Sequence, residues 1–220
     1  MTATRAAQRG FTLAEVLVAV ALLALLATMS WRGVSGMAEA RLSSEARVNE
    51  TLRLGTVMAQ WEQDLQQLQD PGLAPPALHF DGATLRVVRR SAEGLQLVAW
   101  SLRGARWTRW TSPVATSAHG LQDAWLASQQ LLGNEPGQLT LYEGLVGWQV
   151  YFYRNNAWSN AQSSADVDAP NPVVGGTPPR AARALLPTGV RVVLTLQQQS
   201  DGQGGRTVTR DLMLAPQLPP

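Results

Sequence analysis

From Phe11 to Ser30 the chain runs for twenty residues with a single charge, Glu15. At 1.5 Å rise per residue, a helix of that length spans about 30 Å, the thickness of a bilayer's hydrocarbon core. Ahead of it lies a ten-residue leader containing Arg5 and Arg9 and no acid. The positive-inside bias keeps such an N-terminus in the cytoplasm and exports the chain beyond the helix. A single membrane-crossing helix with an exported domain is therefore the first expectation.

Two details separate this segment from an ordinary secretory signal, which is cut after its apolar region at small residues. Here the candidate cut, Gly10-Phe11, falls before the apolar region, at the edge of the basic leader. Glu15 is the second. An ionisable group in a membrane helix costs on the order of a few kcal/mol, so it usually has a partner. Cleavage after Gly10 would create a positive amine at Phe11 that Glu15 of a neighbouring subunit can pair with. The alternative is that Glu15 merely snorkels to the cytoplasmic interface.

Taken together, Gly10, Phe11, Thr12, Leu13 and Glu15, opening an apolar helix, resemble the type III (prepilin) signal of type IV pilins and type II secretion pseudopilins. The resemblance covers the first thirty or so residues. It implies a prepilin peptidase that cuts after Gly10 and methylates the new N-terminal Phe11, with Arg5 and Arg9 as the leader's basic residues. It assigns Thr12, Leu13 and Glu15 to recognition and assembly. It also implies the bacterial inner membrane, crossed once, with the C-terminal domain in the periplasm.

Composition bounds the rest. About 190 residues remain beyond the span, enough for one medium-sized domain. The chain has no cysteine, so it has neither a disulfide framework nor thiol chemistry. All 18 basic residues are Arg. Loss of the leader removes two of them and leaves 18 − 2 = 16 against 16 acids. A nearly neutral mature chain without a basic block gives no electrostatic case for nucleic-acid binding, and none is expected.

Past Ser30 the helical pattern continues. Trp31 and Arg32 suit the membrane interface, and Gly33 and Gly36 open the way to a bend or melting there. Leu54, Val57, Met58, Trp61, Leu65 and Leu68 then recur at three- and four-residue spacing, one face of an amphipathic helix. Asp70-Pro71-Gly72 ends the run. The periodicity thus gives one helix from about residue 11 to 69, half in lipid and half packed on the exported domain.

Strands come next: 84–89, then 95–102 turning at Arg103-Gly104 into 106–110. Trp100, Trp107, Arg106 and Arg109 are expected to stack across this hairpin as cation–π pairs, core packing being favoured over a nucleic-acid or carbohydrate surface. Residues 121–132 read as a short helix stopped by Gly133, or else as a structured loop. Residues 139–142 form a strand. In the next one Val146, Trp148, Val150 and Phe152 share a face opposite Tyr151 and Tyr153, with Arg154-Asn155-Asn156 turning the chain to Trp158. Residues 159–179, rich in Ser, Ala, Asn, Asp, Gly and Pro, read as an exposed loop. Strands 190–197 and 207–214, joined at 200–205, close the chain before a loose proline-rich tail. The expected class is α+β and pilin-like: a long N-terminal helix, half transmembrane and half amphipathic, on an antiparallel β-rich domain. The expected divisions are leader 1–10, transmembrane helix 11–31, amphipathic half 32–70 and globular domain 71–220.

Within the family, Trp61 to Gln67 looks like the end of the long helix of J-type minor pseudopilins. Tyr151-Phe152-Tyr153-Arg154, Trp158, Leu186-Pro187 and Arg210-Asp211-Leu212 look like that type's ending, although the 159–179 loop is longer than the resemblance implies. A W-type or other minor pilin remains the alternative. The J-type resemblance implies I-type and K-type minor pseudopilins as partners, with the major pseudopilin and the inner-membrane assembly platform.

Catalytic signals are absent from the sequence. His79 and His119 lie in turn-like contexts without ligand spacing, and there is no nucleophile elbow or P-loop. Asp166 and Asp168, with Asn171 nearby, are the only metal candidates, for calcium, against a plain solvated loop. Asp64 with Arg86, Arg89 and Arg90 reads as a surface ion pair. No catalytic residue and no cofactor is expected. The rivals are a minor type IV pilin acting in adhesion, motility or DNA uptake and, from another class, a membrane-anchored periplasmic binding domain or enzyme.

Overall fold

One helix, α1 (Leu13–Gln66), runs without interruption through 54 residues of a computed structural model that describes residues 12–72, 75–163, 186–197 and 205–215. Its helical hydrogen bonding continues through Gly33 and Gly36, so the glycines do not melt it. The chain divides into two compact units, Met1–Arg53 and Leu54–Pro220, with the boundary inside α1. In the first unit, the leucines and valines of the apolar run lie exposed along the helix. Burial begins only at Leu54, later than the expectation of a packed half starting near residue 32.

In the second unit, the last turns of α1 bury the six residues their spacing predicts: Leu54, Val57, Met58, Trp61, Leu65 and, just past the helix, Leu68. The helix stops short of Asp70 because its chain enters pairing with a strand. Gln69 N–H donates to the Val88 carbonyl at 2.9 Å, and Arg90 N–H to the Gln67 carbonyl at 2.8 Å.

Among the described residues, nine strands form two antiparallel sheets. The first takes β1 (Leu78–Phe80), β2 (Thr84–Ser91), β3 (Gly94–Arg103), β4 (Arg106–Thr111) and β5 (Gln138–Glu143) in sequence order. The second takes β6 (Leu145–Arg154), β7 (Ala157–Asn160), β8 (Gly189–Leu196) and β9 (Thr207–Met213) in the order β7-β6-β8-β9. This is the long-helix, antiparallel-sheet architecture that the sequence predicts. Gly144, at φ +84°, makes the one-residue step from the first sheet to the second, a conformation that suits glycine.

The main core lies between the end of α1 and the inner faces of both sheets, with Trp61, Leu85, Val87, Trp100, Trp107, Val150, Val192 and Leu194 fully buried. The opposite face of the first sheet is covered by α2 (Ala118–Gln129), whose Leu121 and Ala124 pack with Val88, Leu97, Ala99 and Trp110. This settles residues 121–132 as mostly helix. Ser117 caps it, its hydroxyl accepting from the Gly120 N–H, and the helix ends at Gln129, ahead of Gly133.

One predicted face was wrong at its start. Val146 is exposed and Leu145 takes the core position instead. A register shift in the β6–β8 pairing between Leu145 and Gly147 inserts an extra residue and reverses the alternation there. The turn after Arg154 is as expected, with Asn155 and Asn156 both at positive φ, the form that suits a two-residue hairpin. In the second sheet, β7 extends to Asn160 and so takes the first residues of the expected loop. The remainder of that loop from residue 164, Asp166 and Asp168 included, lies outside the described residues, as do most of the 200–205 connection and the tail after Ala215.

Candidate functional site

The first site is the start of α1. Arg5, Arg9, Gly10 and Phe11 lie outside the described residues, which begin at Thr12. Thr12 precedes the first helical residue, Leu13, and its hydroxyl accepts from the Glu15 N–H at 3.3 Å. Glu15 reaches back: its Oε2 accepts from the Thr12 N–H at 3.0 Å and from the Thr12 hydroxyl at 2.9 Å. This reciprocal arrangement is a capping box, which satisfies donors that a helix N-terminus otherwise leaves open. It gives Glu15 a third role, beside pairing with a neighbour's amine and snorkelling to the interface. The signal was present as Thr12-x-x-Glu15 before an apolar run.

The rest of this segment is equally self-contained. The Thr28 hydroxyl donates to the Leu25 carbonyl at 2.8 Å, and the Ser35 hydroxyl to that of Trp31 at 2.6 Å. These hydroxyls thus find partners within the helix, as a segment in lipid requires. By length and composition α1 is able to cross a membrane.

The second site is Asp64, and here the expectation of a surface ion pair fails. Asp64 is fully buried. Its three- and four-residue spacing from Trp61 and Leu68 places it on the apolar face, where a carboxylate needs convergent donors. Arg109 supplies a fork, Nε at 2.7 Å to Oδ2 and Nη2 at 2.9 Å to Oδ1. The Trp100 indole donates at 2.8 Å, Arg89 Nη1 at 3.0 Å and Gln60 Nε2 at 3.3 Å. Trp100 and Arg109 are direct cross-strand neighbours on β3 and β4, so pairing register aims both at the helix. Burial pushes the Arg89 guanidinium down, Asp64 opposes that shift, and the positive Arg109 adds to it.

Of the other arginines in the expected cluster, Arg86 turns to the opposite face. It pairs with Asp81 at 2.5 Å and donates to the Ser128 hydroxyl at 2.9 Å and carbonyl at 3.2 Å, fastening the end of α2. Arg90 donates to Gln69 at 2.7 Å.

The cation–π ladder across β3 and β4 is also corrected. Trp100 and Trp107 pack on each other, with ring centroids 4.8 Å apart, and Arg109 is drawn to the carboxylate instead. Both rings are fully buried, which removes them from any ligand-binding surface. A cation–π contact does form on the second sheet, where Arg191 sits 4.3 Å from the Trp158 centroid and also grips Asp211 through two hydrogen bonds.

The histidines lie in regular structure rather than turns. His79 is on β1, edge-on to Trp125 at 5.6 Å, and His119 is on α2, 3.5 Å from Asp123. Among the described residues no three His, Asp or Glu side chains converge to hold a metal ion.

Residues 5–31 match the family model described as the prokaryotic N-terminal methylation motif. No curated protein matches the chain. The matched stretch holds the Gly10-Phe11 junction, the capping box and the exposed apolar run. A motif of this type implies processing by a prepilin peptidase and assembly with other pilins. The chain therefore carries the N-terminal signal of type IV pilin-like and pseudopilin proteins.

Proposed function

We propose that the chain is a minor pseudopilin of type II secretion, most like the J type. In this reading, prepilin peptidase cuts between Gly10 and Phe11 and methylates Phe11. Helix α1 then holds the subunit in the inner membrane, with the second unit in the periplasm, until it joins a short fibre. At the fibre tip it meets I-type and K-type minor pseudopilins, primes assembly on the inner-membrane platform and supports protein export. The role is mechanical rather than catalytic.

The observation that carries this reading is the methylation motif at residues 5–31, continuous with an exposed apolar helix. Such a surface is costly in water and suited to lipid or to neighbouring helices. The capping box adds a detail. Both Thr12 bonds fall on Oε2 of Glu15, so Oε1 remains available to a neighbour's N-terminal amine. The J-type assignment rests on the sequence features of the helix end and of the last strands.

Intact mass of the membrane-extracted protein, expressed with and without the cognate peptidase, tests the class. The expected result is loss of residues 1–10 and gain of one methyl group only when the peptidase is present. An unchanged N-terminus in both samples overturns it. Deletion of the gene in its host tests the member: export fails and surface pili persist for a pseudopilin, whereas the reverse pattern identifies a minor type IV pilin.

A further inference from the structure

We propose that residues 34–52 of α1 form a docking stripe for the helix of a different fibre subunit, with the Arg41–Glu45 pair setting its register. This rests on the fibre-subunit reading above and adds the surface and the chemistry of the partner. At 100° per residue, Val34, Ala38, Arg41, Glu45, Val48 and Leu52 fall within about 80° of arc on the helix. All six are exposed. They form three rungs of i and i+4 residues: Val34 with Ala38, Arg41 with Glu45, and Val48 with Leu52. Successive rungs repeat every seven residues, the spacing at which two parallel helices keep one seam in contact. Glu39, Ser43 and Glu50 occupy the opposite face. The stripe begins after the expected membrane span and ends before the first residue buried in the second unit, Leu54.

The middle rung says what fits. Arg41 Nε lies 2.8 Å from Glu45 Oε1, with both side chains well exposed. With the basic residue first, this is the less favourable order for a pair within a helix, so helix stability is a weak reason for its place. A charged rung between two apolar rungs instead selects partner and register in a helix seam. Subunits anchored in one membrane in the same sense run parallel. Two copies of this chain in register would set Arg41 against Arg41 and Glu45 against Glu45. A copy shifted along the axis pairs one charge and leaves the other without an opposite. The fitting partner is a different subunit whose helix presents an acid opposite Arg41, a base opposite Glu45 and apolar side chains above and below.

The test uses the full chain in host membranes with a photo-reactive amino acid at Val48 or, on the opposite face, at Ser43. Adducts are identified by mass spectrometry, and the N-terminal mass is read on the same samples. The expected result is an adduct from Val48 with one other membrane-anchored subunit bearing its own methylation motif, roughly tenfold weaker from Ser43. The double exchange Arg41→Glu with Glu45→Arg keeps the internal ion pair and both apolar rungs but reverses what the partner meets. It should lower the Val48 adduct roughly tenfold, as like charges face each other across the seam. An adduct with a second copy of this chain, an adduct with lipid alone, equal yields from Val48 and Ser43, or indifference to the double exchange overturns the inference. A cut and methylated N-terminus without a Val48 adduct overturns the stripe alone. An uncut N-terminus overturns the fibre reading, and the stripe with it.

Discussion

Leu25 and Leu65 belong to the same helix, yet Leu25 is 52% exposed and Leu65 is 1% exposed. The two stretches differ in how their polar groups are satisfied as well as in burial. Around Leu25, hydroxyls and the lone carboxylate bond within their own turns. Around Leu65, the carboxylate of Asp64 is held by side chains from β2, β3 and β4. One stretch is complete by itself and is left with apolar surface for an outside partner. The other is complete only with its sheet.

The sharpest break in that comparison is Asp64→Ala. It leaves two guanidiniums and an indole N–H without their shared acceptor, and removing one partner of a buried ion pair costs about 3–5 kcal/mol. Urea unfolding of the detergent-extracted full chain, followed by tryptophan fluorescence, should show stability lowered by that much free energy. An unchanged midpoint would mean that the helix is not held at this carboxylate. Next comes a matched pair. Leu65→Ala opens a core cavity and should cost about 2–5 kcal/mol, whereas Leu25→Ala should stay within about 0.5 kcal/mol in the same assay. Equal effects would erase the distinction between the two stretches.

The smallest effect concerns pH. Burial and then the Arg86 guanidinium hold the His79 imidazole below its ordinary value, with Asp81 opposing them. A lowered folded value means the unfolded chain takes up the proton first. His79 therefore contributes stability that is full above a pH of about 6.5 and is lost as pH falls through the folded value. Melting temperatures between pH 8 and 5 should fall on acidification, and His79→Phe should flatten that slope. The Asp81 carboxyl is pushed up by burial but brought below its ordinary value by Arg86 and by the Thr84 and Ala83 N–H groups. Its contribution is lost only at still lower pH, so the two windows separate. An identical slope in the variant would remove His79 from the account.

How much of this was legible depends on the range of each signal. The buried helix face and the Asn155-Asn156 turn depend on spacing and local backbone preference, and both were readable. The cut junction was readable too, because its signal is contiguous. The capping box had a local signature, Thr12 to Glu15, but a lone carboxylate in an apolar run points first to a distant partner. Asp64 was misplaced because its acceptor role depends on strands that come together only after β3 and β4 pair in register. Val146 was misplaced because a single inserted residue reverses alternation, and nothing in the neighbouring residue types announces it.

The unbroken course of α1 also has a kinetic side. Starting a helix is its slow and unfavourable step, while extending one is comparatively easy. A segment that becomes helical on entering lipid supplies that start to everything downstream. Turns 54–66 then form by extension, with Trp61 and Leu65 already lined up before any strand has paired. The sheets condense onto a prepared surface, so the bilayer acts as the nucleus for a domain it never touches.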